Sequence, residues 1–235
     1  NRDCFSVPYF AWNDLTTDPT NEKAYKLNVG LDARLFGGLD VEFDYFHQKN
    51  KDAFISGAGA YSSVIGFTAP YVNQGETTSS GVELALDYNH MFGDVCLNVG
   101  GNILYSHSKI DEQKEEPRLY PNLVTTGNPL SSTYGLIAEG LFKDQADVDN
   151  SPKQSFTTTR PGDIKYTDVN GDGVVDANDV CRIGYSTAIP EVYYSFHVGA
   201  GWKGLSFSAM FQGVGRYTAI LNTPGYYWGL IGNTN

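Results

Sequence analysis

The chain has 235 residues, with 16 Lys and Arg against 27 Asp and Glu, a formal charge of −11. That balance excludes a nucleic-acid binder, which needs a basic face to neutralise phosphates. No window approaches the roughly 18 apolar residues of a membrane-spanning helix, but a β-barrel crosses a bilayer with alternating segments of about 10 residues and is not excluded.

Neither Asn1 nor the Gly- and Asn-rich stretch 224–235 reads as a natural terminus, and a piece of a longer chain is expected. Cys4, Cys96 and Cys181 are too widely spaced for a C-x-x-C metal site and odd in number, so free thiols are expected, with one disulfide as the alternative.

The first periodic segment starts at Tyr25. Tyr25, Leu27, Val29, Leu31, Ala33 and Leu35 alternate with Lys26, Asn28, Gly30, Asp32 and Arg34. Period-2 alternation predicts a strand with one apolar and one polar face. Phe36-Gly37-Gly38 signals a tight turn, after which Leu39, Val41, Phe43 and Tyr45 alternate with Asp40, Glu42 and Asp44. A second hairpin pairs the run Val82, Leu84, Leu86, Tyr88 with Val95, Leu97, Val99, Gly101, Ile103, Tyr105 across Phe92-Gly93-Asp94. A third joins Val192–Trp202 to Leu205–Gly213 across Lys203-Gly204.

The hairpins fall near 24–56, 79–109 and 190–220, and the expected strands run 11 to 15 residues. The connections between hairpins, near 57–78 and 110–189, are long, while the turns within them are short. Aromatics cluster near strand ends: Tyr25, Phe36, Tyr45, Tyr88, Phe92, Tyr105 and Trp202. These features predict an all-β fold: part of a large antiparallel transmembrane β-barrel, with short periplasmic turns, long extracellular loops and aromatic girdles. Residues 1–23 read as an external loop or strand end, 24–220 as barrel, and 221–235 as the start of the next loop. A soluble antiparallel sandwich also alternates, but its strands are usually about 5–6 residues long. Six strands cannot close a barrel of about eight, so further strands come from the long insert or from missing sequence; Leu136–Phe142 is a candidate for one, or for an external hairpin.

Pro161-Gly162-Asp163-Ile164-Lys165-Tyr166-Thr167-Asp168-Val169-Asn170-Gly171-Asp172-Gly173-Val174-Val175-Asp176, then Arg182-Ile183-Gly184, resembles a signature stretch of the SusC/RagA family of TonB-dependent transporters. Trp202-Lys203-Gly204-Leu205-Ser206-Phe207-Ser208, Lys26-Leu27-Asn28-Val29-Gly30-Leu31-Asp32, Ser80-Gly81-Val82-Glu83-Leu84 and the segment from Tyr134-Gly135-Leu136 to Gly140-Leu141-Phe142 resemble the family in order and spacing. The resemblance implies an outer-membrane barrel of Bacteroidetes-like Gram-negative bacteria, with about 22 strands around an N-terminal plug. It implies import of oligosaccharides or peptides, driven by the TonB complex through an N-terminal region, beneath a SusD-like surface lipoprotein. No enzymatic activity is implied.

Asp168, Asn170, Asp172, Gly173, Val174, Asp176 and Asp179 have the spacing of an EF-hand-type loop. The candidate ligands of a structural Ca2+ are Asp168, Asn170, Asp172, the Val174 carbonyl, Asp176 and Asp179, the last in place of the usual Glu. Self-bonded Asx turns are the alternative, since no helices flank the loop.

His47, His90, His107 and His197 have no partner at ligand spacing, and Asp32, Asp40, Glu42 and Asp44 read as a solvated lumen face balanced by Lys26 and Arg34 rather than a glycosidase pair. Tyr61, Phe67, Tyr71, Tyr120 and Tyr134 fall in the expected loops, and 111–116 reads as a solvated charge run. A soluble carbohydrate-binding β domain with a calcium loop is the second reading, and a β-rich hydrolase the third. The barrel reading requires Leu27, Val41, Leu84, Leu97, Val198 and Phe207 to face lipid rather than a protein core.

Overall fold

The structure, a computed structural model, describes residues 20–56 and 71–221; Cys4, Tyr61 and Phe67 lie outside them. Four long strands open the described chain: β1 (Lys23–Leu35), β2 (Leu39–Ser56), β3 (Tyr71–Phe92) and β4 (Val95–Glu112). An excursion follows with β5 (Thr133–Gly135), β6 (Ala138–Leu141), the short helix α1 (Gln145–Asp149), β7 (Lys153–Gln154), β8 (Ile164–Tyr166), β9 (Val174–Val175) and β10 (Cys181–Gly184). The chain then returns as β11 (Val192–Trp202) and β12 (Leu205–Gly215).

The six long strands form one antiparallel sheet in the order β1-β2-β3-β4-β11-β12. The turns have the chemistry that their twist requires. Lys203 and Gly204 both have positive φ (44° and 89°), as do Phe36 and Gly37 (51° and 68°), the primed-turn pattern that matches strand twist.

The register makes the apolar faces of all six strands coincide. Leu31, Phe43, Leu84, Ile103 and Tyr194 form one row; Ala33, Val41, Leu86, Gly101, Phe196 and Phe211 form another. Among the described residues no second layer covers this face: Leu27, Phe207 and Phe211 are 54%, 62% and 64% exposed. Among the described residues the only buried hydrophobic side chains are Phe142 and Val175, both in the excursion. An uncovered apolar face of this extent marks a membrane or protein contact, not a soluble core.

The dimensions fit a bilayer. Val95, beside the short turn, and Tyr105 are ten residues apart on β4, about 34 Å at about 3.4 Å per residue. A tilt of about 35–45° projects this to about 24–28 Å, the height of the apolar band of an outer-membrane barrel, about 25 Å. Phe36, Phe92 and Trp202 stand exposed at the turn end, and Tyr45 and Tyr105 mark the other boundary, both opposite Val82.

Two boundaries differ from the sequence expectation. β3 starts at Tyr71, so residues 71–78, expected in an external loop, pair with β2 as far as Ser56↔Tyr71, past a bulge at 50–53 where Asp52 has φ 58°. β3 thus runs 22 residues. Residues 73–80, Asn-Gln-Gly-Glu-Thr-Thr-Ser-Ser, are polar on both faces; beyond the bilayer neither face needs to be apolar, so no alternation betrays the strand. The segment Leu136–Phe142 adds no barrel strand: its β6 pairs with β8 in a two-stranded sheet of the excursion.

Candidate functional site

The sheet's second face is polar. On it Arg34 donates from Nε and Nη2 to Asp40 at 2.6 and 2.7 Å. His197 Nε2 lies 3.1 Å from Asp87 Oδ2, and Asn98 donates to Asp87 and Asn89. The register sets carboxylates opposite one another: Asp32↔Glu42, Asp44↔Glu83 and Asp40↔Asp87. Like charges directly opposite repel, and among the described residues Asp32, Glu42, Asp44 and Glu83 have no ion pair. These acids are spread over three strands of one wall, as a solvated lumen face would carry them. Ser195, on the same face as His197, donates to Asn102 Oδ1 (3.0 Å) and not to the imidazole, so no nucleophile–base pair forms.

At the long-loop end the excursion is a structured body. Phe142 is held by Phe142 N→Asp163 O (2.9 Å) and Gly162 N→Phe142 O (2.8 Å). Buried Gln154 accepts from Tyr166 N at 3.0 Å, and β7 pairs in parallel with β9, enclosing Val175. Lys165 Nζ bonds Asp147 Oδ1 at 3.0 Å, which holds the Asp147 carboxyl below its ordinary range.

Glu115 corrects the reading of 111–116 as a solvated run. Its side chain is 11% exposed and accepts from the backbone N–H and hydroxyl of both Thr125 and Thr126 at 2.7–2.9 Å. Burial alone would raise its pKa; these four bonds outweigh burial and bring it from 4.5 to about 2. The signal was the Thr125-Thr126 pair about ten residues on, which local reading cannot connect to Glu115.

The 168–179 loop folds on its own side chains. Asp168 accepts from Gly171 N and Gly173 N (2.7 and 2.8 Å), Asn170 from Asp172 N and Asp172 from Val174 N (both 2.9 Å). Gly171 and Gly173 supply the positive φ that the turns require. Asp179 is fully buried and accepts from Val169 N, Asn170 N and Asp176 N at 2.8, 3.2 and 2.8 Å, filling three of about four lone-pair directions of a carboxylate. Asp176 caps Asn178 N at 2.6 Å. Among the described residues no three His, Cys, Asp or Glu converge as a metal cage. Asn122 Nδ2 ties this loop to the 120s through Asn178 O and Val180 O (2.7 and 2.9 Å).

The other singled-out residues are dispersed. Tyr71 stacks on Phe54 (5.2 Å) as part of β3, not a loop. His90 packs on Phe92 at 4.4 Å near the short turn, and His107 Nδ1 lies 3.0 Å from Glu191 Oε1. Cys96 and Cys181 are free thiols.

A six-stranded wall with one apolar and one polar face, tight turns at one end and a folded excursion at the other has the design of a segment of an outer-membrane β-barrel. Residues 8–230 match the TonB dependent receptor-like, beta-barrel family, and the chain belongs to it. A curated relative, TonB-dependent receptor P26 of Formosa agariphila, is 25% identical over 213 residues, 85% of this chain but only 20% of the relative. The RagAB peptide importer in its open-open state is similar at TM-score 0.61 and 24% identity, over 85% of this chain and 21% of that one. Its closed-closed state gives TM-score 0.58 over 83% and 21%. The chain therefore spans about a fifth of the length of these relatives. Membership places the chain in a family of outer-membrane receptors rather than of enzymes, its fold is SusC/RagA-like, and the soluble-sandwich reading falls.

Proposed function

We propose that the whole protein imports a nutrient, an oligosaccharide or a peptide, across the outer membrane, and that this chain supplies part of the barrel wall and one external docking body. The observation that carries this is the register: one continuous lipid-compatible face, one acidic interior face, and a folded excursion joining β4 to β11. The similar RagAB protein is a peptide importer, which favours peptides. Energy coupling to the TonB complex and a SusD-like lipoprotein over the excursion belong to the same proposal. Deleting residues 113–190 from the full-length protein tests it. Barrel insertion is expected to persist while uptake of labelled peptide or oligosaccharide, and co-purification of the lipoprotein, are lost. Unchanged uptake would refute the docking role.

We further propose Ca2+ for the loop ligands Asp168, Asn170, Asp172, Val174, Asp176 and Asp179. The all-oxygen donor set and its spacing support it, and a cation there would pin the excursion. The amide capping already in place supports the competing reading, a turn held without metal. Terbium luminescence with calcium competition separates the two: sensitised emission displaced by calcium and lost in Asp168→Asn supports the ion, and silence removes it.

A further inference from the structure

The outward face of the wall does not stop at the Tyr45–Tyr105 row. Two residues further on it carries His47, Ser80 and His107 in one row. The next row places Lys49 and Lys109 on either side of Thr78, and beyond it Lys51 stands opposite Lys23. Just past the end of β12, Arg216 lies 5.2 Å over the Tyr105 ring and 5.9 Å over Tyr185, and Arg182, on β10 of the excursion, lies 5.6 Å over the same Tyr185. Six of the 16 Lys and Arg of an acidic chain thus share one strip directly beyond the aromatic boundary.

Carboxylates accompany them. Glu76 lies 2.9 Å from Lys49 and 3.4 Å from Lys51, Asp52 lies 2.6 Å from Lys23, Asp111 lies 3.9 Å from Lys109 and Glu191 lies 3.3 Å from Arg216. Glu112, opposite Glu76, is a fifth. The two signs are not equally presented. The side chains of Lys23, Lys109, Arg216, Lys51 and Lys49 are 61%, 54%, 48%, 41% and 35% exposed, those of Asp52, Asp111, Glu76 and Glu191 34%, 24%, 23% and 10%, and Glu112 is exposed as well. Within each ion pair the cation is the more exposed partner. Arg182 has no carboxylate partner among the described residues; beside the Tyr185 ring its guanidinium meets the Gly184 carbonyl, at 3.4 Å. The unpaired acids Asp32, Glu42, Asp44 and Glu83 lie on the opposite face, so the uncompensated acidic charge of the sheet is turned away from this strip.

We propose that this strip binds the phosphate-bearing headgroups of lipids in the outer leaflet. It is continuous with the lipid-facing apolar surface, and it begins where the calculated hydrocarbon height ends. Its Arg and Lys complement a phosphate in charge, and aromatic rings next to basic side chains suit the headgroup level. A soluble anion would need no such continuity with the apolar belt. The inference rests on membership of the outer-membrane barrel family and on the short turns lying on the periplasmic side.

The test uses the full-length protein in detergent, with native mass spectrometry of retained lipid. The probes are phosphorylated lipid A, the same lipid dephosphorylated, and inorganic phosphate as competitor. Wild type is expected to retain the phosphorylated lipid at least tenfold better than the dephosphorylated one, and millimolar phosphate is expected not to displace it. Lys49→Gln/Lys51→Gln/Lys109→Gln should lose about tenfold or more of that preference, while Asp32→Asn/Glu42→Gln on the inner face should keep it. If the triple variant does not insert, Lys109→Glu alone should lose several-fold. Equal retention of both lipids, an unchanged preference in the lysine variants, or displacement by free phosphate would each overturn the inference. A protein that needs no detergent and retains neither lipid would overturn the barrel reading beneath it.

Discussion

Arg216 Nη1 lies 3.3 Å from Glu191 Oε2 and 3.0 Å from the Tyr105 hydroxyl. One guanidinium thereby joins the end of β12, the segment entering β11 and the outer end of β4. His107 contacts the second Glu191 oxygen at 3.0 Å, and the backbone follows the same route, Ser106 N→Glu191 O and Glu191 N→Arg216 O. The carboxylate is largely covered, so leaving its partners without it is costly. Glu191→Ala is expected to destabilise this rim by about 2–3 kcal/mol, the range for breaking a largely buried charge-assisted set. Hydrogen exchange should show lost protection at residues 106, 191 and 218 while the strands near the short turns stay protected. Unchanged exchange would show that the rim is held by the strand ladder alone.

Neighbouring positions on β3 separate the two faces. Leu86 belongs to the outward apolar row and Ala85 lies opposite Glu42 and Asn102 on the inner face. Leu86→Arg should cost about 2–4 kcal/mol, as for a charge on the lipid face near the midplane. Ala85→Arg should be close to neutral, or slightly stabilising beside unpaired Glu42. Urea titration of the full-length protein refolded in liposomes measures both. Equal costs would contradict the assignment of faces.

Glu115 gives the excursion a pH dependence of definite sign. Its folded pKa of about 2 lies below the ordinary 4.5, so its contribution is fully present above about pH 4.5 and is lost as the pH falls through 2. A shift of this size corresponds to roughly 3 kcal/mol at most. Below pH 4.5 the 113–128 region should exchange amide protons progressively faster, and Glu115→Gln should show raised exchange at neutral pH with that acid dependence removed. A wild-type region whose protection is flat from pH 5 to pH 2.5 would count against the carboxylate as its anchor.

Asp179 is the buried hub of the 168–179 loop, and three amides depend on it. Asp179→Ala should open the loop at a cost of about 2–4 kcal/mol, the sum of several unsatisfied donors. Asp172→Asn, which keeps an oxygen for Val174 N, should cost well under 1 kcal/mol in the absence of calcium. Limited proteolysis between residues 166 and 181 distinguishes them: rapid cleavage is expected in the first variant and not in the second.

Period-2 alternation in three stretches determined the hairpins, their tight turns and the opposed faces, because a side chain's face on a strand is fixed by parity alone. The ordered motifs determined the family. Only the tertiary structure decided how the hairpins join. The pairing of β4 with β11 across the whole excursion, Tyr105 with Val192 and Val95 with Trp202, aligns rows that no local pattern specifies. It also decided that residues 71–78 extend a strand above the bilayer, where a polar strand and a polar loop have the same composition. Glu115, Asp179 and Glu191 look like ordinary surface acids in the sequence. Their roles depend on amides and cations brought to them by the fold, and side-chain bonds to groups outside the local turn, from about ten residues away for Glu115 to 84 for Glu191, leave no periodic trace in the chain.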